Sequence, residues 1–163
     1  YILDKYNTWS SYAPEDQAVM IAYASMYGNT ENAANVLAGI LADKGVKKIV
    51  VYDVSNTDVS ELISEAFRCS HIVLAAPTYN GGIYPKMENF VADMKALNVQ
   101  KRKVAFLENG TWAATSGKQM AEQVAALKEM TVISDTLTVK SALKEDQYAS
   151  LEELADKIVA SME

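Results

Sequence analysis

The chain has 163 residues, half of them hydrophobic, which is the length of one domain with a sizeable core. Its 15 Lys and Arg against 21 Asp and Glu leave a formal charge of -6, which argues against nucleic acid as a partner, because phosphate-backbone contacts need clustered cations. A single cysteine, Cys69, and a single histidine, His71, rule out an internal disulfide, a cysteine-based metal site and a histidine-rich one.

The chain opens on Leu3, Tyr6, Trp9 and Tyr12, an aromatic-rich arm that ends in the turn Ala13-Pro14-Glu15-Asp16. We read residues 1–16 as a linker from an upstream domain and 17–163 as the folded module; a short helix lying on this same domain is the plainer alternative. Apolar or β-branched runs begin near Val19, Ile49, Ile72, Val104 and Val132, and each is followed by a segment of helical periodicity. The first helix, from about Thr30 to Lys44, aligns Ala33, Val36, Leu37, Ile40 and Leu41 and stops at Gly45. The second uses Val59, Leu62, Ile63, Ala66 and Phe67, and the third starts at Pro85, a favoured first-turn residue, with Met87, Phe90, Val91, Met94 and Leu97. A fourth follows Gly117 with Met120, Val124 and Leu127. The last follows Glu145-Asp146 and lines up Leu151, Leu154, Ala155, Ile158 and Met162.

Five alternating strand and helix pairs predict an α/β fold, a three-layer sandwich whose five-stranded parallel sheet has order 2-1-3-4-5 and helices on both faces. In that order a ligand is expected at the carboxyl ends of the strands, at the break between the first and third. No run reaches the roughly 18 apolar residues of a membrane span, and no secretion-like leader is visible, so the cytoplasm is the simplest location and no membrane partner is expected.

Three loops then meet. Ser25-Met26-Tyr27-Gly28-Asn29-Thr30 follows the first apolar run and opens the first helix, without Lys or Arg. A helix start offers unpaired N–H groups and the positive end of the helix dipole, so small and hydroxyl residues there can cradle a phosphate. Neither the nucleotide motif G-x-x-x-x-G-K-[ST] nor the dinucleotide motif G-x-G-x-x-G is present, and one Gly with several hydroxyls suits a single terminal monophosphate. Taken alone, the loop is equally well an ordinary turn capped by Asn29 or Thr30. After the third strand comes Pro77-Thr78-Tyr79-Asn80-Gly81-Gly82, where two adjacent glycines suggest a backbone that approaches something closely. After the fourth comes Asn109-Gly110-Thr111-Trp112. A planar ring with a monophosphate tail accounts for all three: phosphate in the first loop, stacking from Tyr79 or Trp112, and backbone hydrogen bonds from the glycines. Flavin mononucleotide, FMN, fits that description.

The residues also resemble a family. Ser25 to Glu31, Ala76 to Gly82 and Asn109 to Trp112 look like the three flavin-binding loops of the flavodoxin-like domain of flavodiiron proteins, and the leader from Leu3 to Trp9, with Tyr12 and Pro14, looks like the segment joining that domain to an upstream diiron domain. The resemblance implies an FMN-binding electron-transfer module of an oxygen or nitric oxide reductase. Electrons would come from a donor such as rubredoxin and pass to a diiron site, usually the partner subunit's in a head-to-tail homodimer. Many relatives carry an aromatic-Gly-Trp third loop, whereas here Thr111 separates Gly110 from Trp112. A free-standing flavodoxin or flavodoxin-like quinone reductase is the nearest rival. A signalling receiver would need acidic residues where Ser25-Met26 and Pro77-Thr78 stand, and Lys140 is the only feature that imitates one. A pure protein-interaction module is the last alternative. Cys69 is expected to be an inert core thiol and His71 a strand-edge residue.

Overall fold

The computed structural model describes residues 2–3, 11–25, 28–79, 82–109, 116–134, 136–139 and 145–162. Strand β1 (Asp16–Tyr23) leads into helix α1 (Asn29–Asp43), β2 (Ile49–Asp53) into α2 (Val59–Arg68), and β3 (Cys69–Tyr79) into the short β4 (Gly82–Ile83) and α3 (Pro85–Ala96). Then follow β5 (Lys103–Asn109), α4 (Ser116–Ala125), two short strands β6 (Thr131–Val132) and β7 (Leu137–Val139), and α5 (Glu145–Ala160). The sheet runs β2-β1-β3-β5-β6, all parallel along this path, with β7 parallel to β5 and β4 antiparallel to β3.

This is the expected order 2-1-3-4-5, with the fifth position split. β6 pairs with Lys103 and Val104 and β7 with Leu107 to Asn109, and four residues lie between the two segments where β5 has two. A single continuous edge strand cannot absorb that mismatch, so the chain leaves the sheet and returns. A second correction concerns the loops: Pro77, Thr78 and Tyr79 are the last residues of β3, because the chain turns back there into β4 with Thr78 opposite Ile83 and Tyr79 opposite Gly82.

Alternation along β1 divides the core. Val19, Ile21 and Tyr23 face α1 and α5, packing with Leu37, Leu41, Leu151, Leu154 and Ile158. Ala18, Met20 and Ala22 face the opposite layer, with Leu62 of α2, Phe90 of α3 and Met120 of α4. Leu37 and Leu41 are wholly buried, each contributing on the order of 2 kcal/mol of burial free energy. Val59 and Leu97, expected to face inward, are exposed at the ends of their helices.

The amino rim of the sheet is closed by charges. The wholly buried guanidinium of Arg102 donates to the carbonyls of Ala66 and Phe67 in the last turn of α2, and to those of Gln100 and Tyr12. The carbonyls of Ala66 and Phe67 are orphans at the negative end of a helix, so a cation there satisfies them without a carboxylate. Burial brings its pKa down to about 10. The bond to Tyr12, with that from Lys101 Nζ to the Ser11 carbonyl at 3.0 Å, ties the end of the leader to this rim. Asp16 joins Lys48 and Arg68, and Arg68 also joins Glu65.

His71 corrects the sequence reading. It lies in the central strand and is 2% exposed, its ring held between the hydroxyls of Ser70 at 2.6 Å and Ser161 at 3.0 Å. Burial, with Lys103 nearby, lowers its pKa to about 4. Cys69 is a buried thiol whose pKa burial pushes up to about 11, which makes it the inert core residue expected.

Candidate functional site

The carboxyl ends of β1, β3 and β5, which lead into the three candidate loops, lie side by side in the sheet. Tyr23 pairs with Ala75, and the next amide, Ala24 N–H, donates to the Ala75 carbonyl at 2.9 Å, so Ser25 leaves the sheet beside the end of β3. Pro77 in turn pairs with Asn109 at the end of β5. With β2 on one side of β1 and β3 on the other, this is the switch point at which open α/β sheets bind ligands.

The first loop is shaped by Gly28. Its φ of 85° is left-handed, and no atom lies within 4 Å of where a Cβ would be, so the glycine answers to backbone geometry rather than crowding. Gly28 is the N-cap of α1, and among the described residues no side chain caps that helix, so neither Asn29 nor Thr30 acts as the cap that the plainer reading required. The hydroxyl of Ser25 accepts the Gly28 N–H at 2.9 Å, which uses a lone pair and not its proton. Thr30 is buried in the first turn. An uncapped helix start with hydroxyls and no cation fits the tail of FMN: amides would hold the phosphate oxygens.

Carboxylates stand just behind the cradle. Burial pushes the Tyr23 pKa up to about 12, helped by the nearby carboxylates of Glu31 and Asp53. Asp53 accepts the Ser55 N–H and the Asn56 side chain, which shapes the turn after β2.

At the second and third loops, the Thr78 hydroxyl accepts the Ser116 N–H at 3.3 Å, and the Ser116 hydroxyl donates to the Ala76 carbonyl at 3.1 Å. Asn109 is buried at the end of β5 and Gly82 opens β4. Met26, Tyr27, Asn80, Gly81, Gly110, Thr111, Trp112 and Lys140 lie outside the described residues, as does the side chain of Tyr79. Ser116, Glu108 and Thr138, which brace this end of the sheet, were absent from the sequence-derived set. The visible signal was a carboxylate directly after the apolar run Val104 to Leu107. A cavity of about 420 Å3 between α2 and α3, lined by Val54, Asp58, Leu62 and Phe90 among others, shares no lining residue with the three loops. Among the described residues no group of three or more His, Cys, Asp and Glu could hold a metal, and no helix is long and apolar enough to cross a membrane.

Comparison with known proteins agrees with this fold. The rubredoxin-oxygen oxidoreductase of Megalodesulfovibrio gigas is 24% identical over 162 residues, covering 99% of this chain and 40% of that protein. The solved structure of rubredoxin oxygen:oxidoreductase from Desulfovibrio gigas superposes with a TM-score of 0.90 at 25% identity, covering 98% of this chain and 39% of that one. Flavodoxin 1 of Bacillus cereus shares the fold at 19% identity with a TM-score of 0.77, covering 88% of this chain and 97% of the flavodoxin. The chain thus spans about 40% of the length of that rubredoxin-oxygen oxidoreductase. Residues 20–163 match the flavodoxin domain family, whose members bind FMN. The fold, the flavodiiron resemblance and the cofactor class expected from the sequence are all borne out, and the chain belongs to the flavodoxin domain family.

Proposed function

We propose that residues 17–163 form an FMN-binding electron-transfer module of flavodiiron type, joined by residues 1–16 to an upstream diiron domain. It takes electrons from a small redox protein such as rubredoxin and hands them to a diiron site, the partner subunit's in a head-to-tail homodimer, in a cytoplasmic oxygen or nitric oxide reductase. The observation that carries the reading is the uncapped start of α1 at the switch point of the sheet, in a chain that aligns along 99% of its length with one segment of a rubredoxin-oxygen oxidoreductase.

Ser25, Gly28, Asn29 and Thr30, with Met26 and Tyr27, hold the phosphate; Pro77 to Gly82 and Asn109 to Trp112 hold the ring. Bound there, FMN supplies one- and two-electron chemistry, and the chain supplies position and electrostatics. The cradle offers no cation, and the net charge of -6 opposes adding further negative charge at the ring, so the bound flavin is harder to reduce than free flavin.

The test is the visible absorption spectrum of the purified chain, with the released chromophore identified by mass. A flavin spectrum and the mass of FMN support the reading. A colourless protein that ignores added FMN leaves it without a basis. The second reading, a free-standing flavodoxin or flavodoxin-like quinone reductase, draws on the coverage of nearly all of the Bacillus cereus flavodoxin. Coding sequence for a metal-ligand domain upstream of Tyr1 decides against that alternative.

A further inference from the structure

Glu108 is a buried carboxylate one residue before the end of β5, just ahead of the third loop, and is 7% exposed. Each of its oxygens has its own donor. Oε2 accepts the N–H of Gly117, the second residue of α4, at 2.7 Å, and Oε1 accepts the hydroxyl of Thr138 in β7 at 2.7 Å. Two accepting oxygens are the pattern of an ionised carboxylate, and a helix start is a favourable place to bury one.

The approach of α4 is close. A Cβ on residue 117 would meet Glu108 Oε2 at 2.9 Å and Thr136 Cγ2 at 2.3 Å, so any larger residue there must push the carboxylate or the Thr136 side chain aside. One residue earlier, Ser116 is bonded to Thr78 and Ala76 at the end of β3. The start of α4 is therefore fastened at once to β3 and β5, the same Glu108 carboxylate holds Thr138 of β7, and Thr78, a candidate ring-binding residue, belongs to that fastening. An apolar side chain would fill the same strand position without the desolvation cost of a buried charge. The carboxylate at this spot calls for a role beyond packing.

We propose that Glu108 is a positioning residue of the cofactor crevice: by clasping Gly117 and Thr138 it fixes the start of α4, and with it Thr78, and its buried charge opposes reduction of a ring bound alongside. This inference rests on the FMN reading above.

The experiment compares the parent with Glu108→Gln, Glu108→Ala and Thr138→Val by titration with FMN and with riboflavin, and by the midpoint potential of the bound FMN. Loss of the clasp in Glu108→Ala disturbs the ring end, so FMN and riboflavin should weaken by the same factor, roughly tenfold. In Glu108→Gln the amide can accept from Gly117 and donate to Thr138, so FMN affinity should return to within about threefold of the parent while the bound flavin becomes easier to reduce. Thr138→Val, which removes one donor and keeps the charge, should weaken FMN by about threefold and serves if Glu108→Ala does not fold. A parent that binds FMN alongside folded variants with unchanged affinity and potential overturns this inference alone. A parent that binds no FMN overturns both it and the reading beneath it.

Discussion

At the amino ends of the strands Arg102, Arg68, Asp16 and His71 each find partners inside the chain, whereas at the carboxyl ends the start of α1 carries no side-chain cap among the described residues. The helix after the adjacent strand begins differently: α2 has Asp58 at its N-cap, whose carboxylate accepts the Ser60 N–H at 2.9 Å, while α3, also without a side-chain cap among the described residues, has Pro85 in its first turn. Two helices that follow adjacent parallel strands thus end their orphan N–H groups differently. One is closed by its own side chain, and the other has no side-chain cap among the described residues, which leaves first-turn amides able to hold an anion. The contrast separates a rim that holds the fold together from a rim that can hold a ligand.

The contrast can be broken most forcefully at Arg102. Arg102→Leu leaves the carbonyls of Tyr12, Ala66, Phe67 and Gln100 without their donor, and urea unfolding should show a loss of about 3 kcal/mol or more. FMN affinity of the folded variant should be unchanged, since the guanidinium stands at the opposite rim. A matching loss of flavin would erase the division between the rims.

His71 gives the amino rim a pH signature. Its folded pKa of about 4 lies below the ordinary 6.5, so between those values the unfolded chain binds a proton that the native one refuses. Stability should therefore fall as pH drops through that window, by roughly 2 kcal/mol at about pH 5. His71→Gln should flatten this part of the stability profile, and a slope that survives the substitution would place its origin elsewhere.

Effects at the carboxyl rim should be smaller in stability and larger in binding. Gly28→Ala forces a side chain into a left-handed conformation at a cost of about 1 kcal/mol, and by shifting the first-turn amides should weaken FMN by roughly tenfold while leaving riboflavin little changed. The smallest effect belongs to Asp58→Ala, which removes the cap of α2: a slight drop in melting temperature and no change in flavin affinity. The Ser60 N–H and then its hydroxyl hold the Asp58 carboxyl below its ordinary 3.8. The advantage of the parent over this variant is therefore complete above that pH and disappears as pH falls through the lowered value.

Much of this was legible in the sequence because it is local. The apolar run into Ser25, the stripe Ala33, Leu37 and Leu41, and Pro85 at a helix start are periodicities and caps within a few residues of each other. The sheet order and the meeting of three loops followed from topology. The misplacements have non-local causes. β6 is an exposed two-residue edge segment, too short and too weakly apolar to reveal its separation from β7. His71 looked like a polar edge residue because its second partner, Ser161, lies 90 positions away. Glu108 went unassigned since its burial depends on Gly117 and Thr138, and neither can be paired with it by spacing alone.

The most direct measurement is the ratio of riboflavin to FMN dissociation constants for the parent chain and for Gly28→Ala. If the open start of α1 holds the phosphate, FMN should bind at least about tenfold more tightly than riboflavin, and the substitution should shrink that preference. Equal affinities for the two flavins in the parent, or a preference that Gly28→Ala leaves untouched, would contradict it.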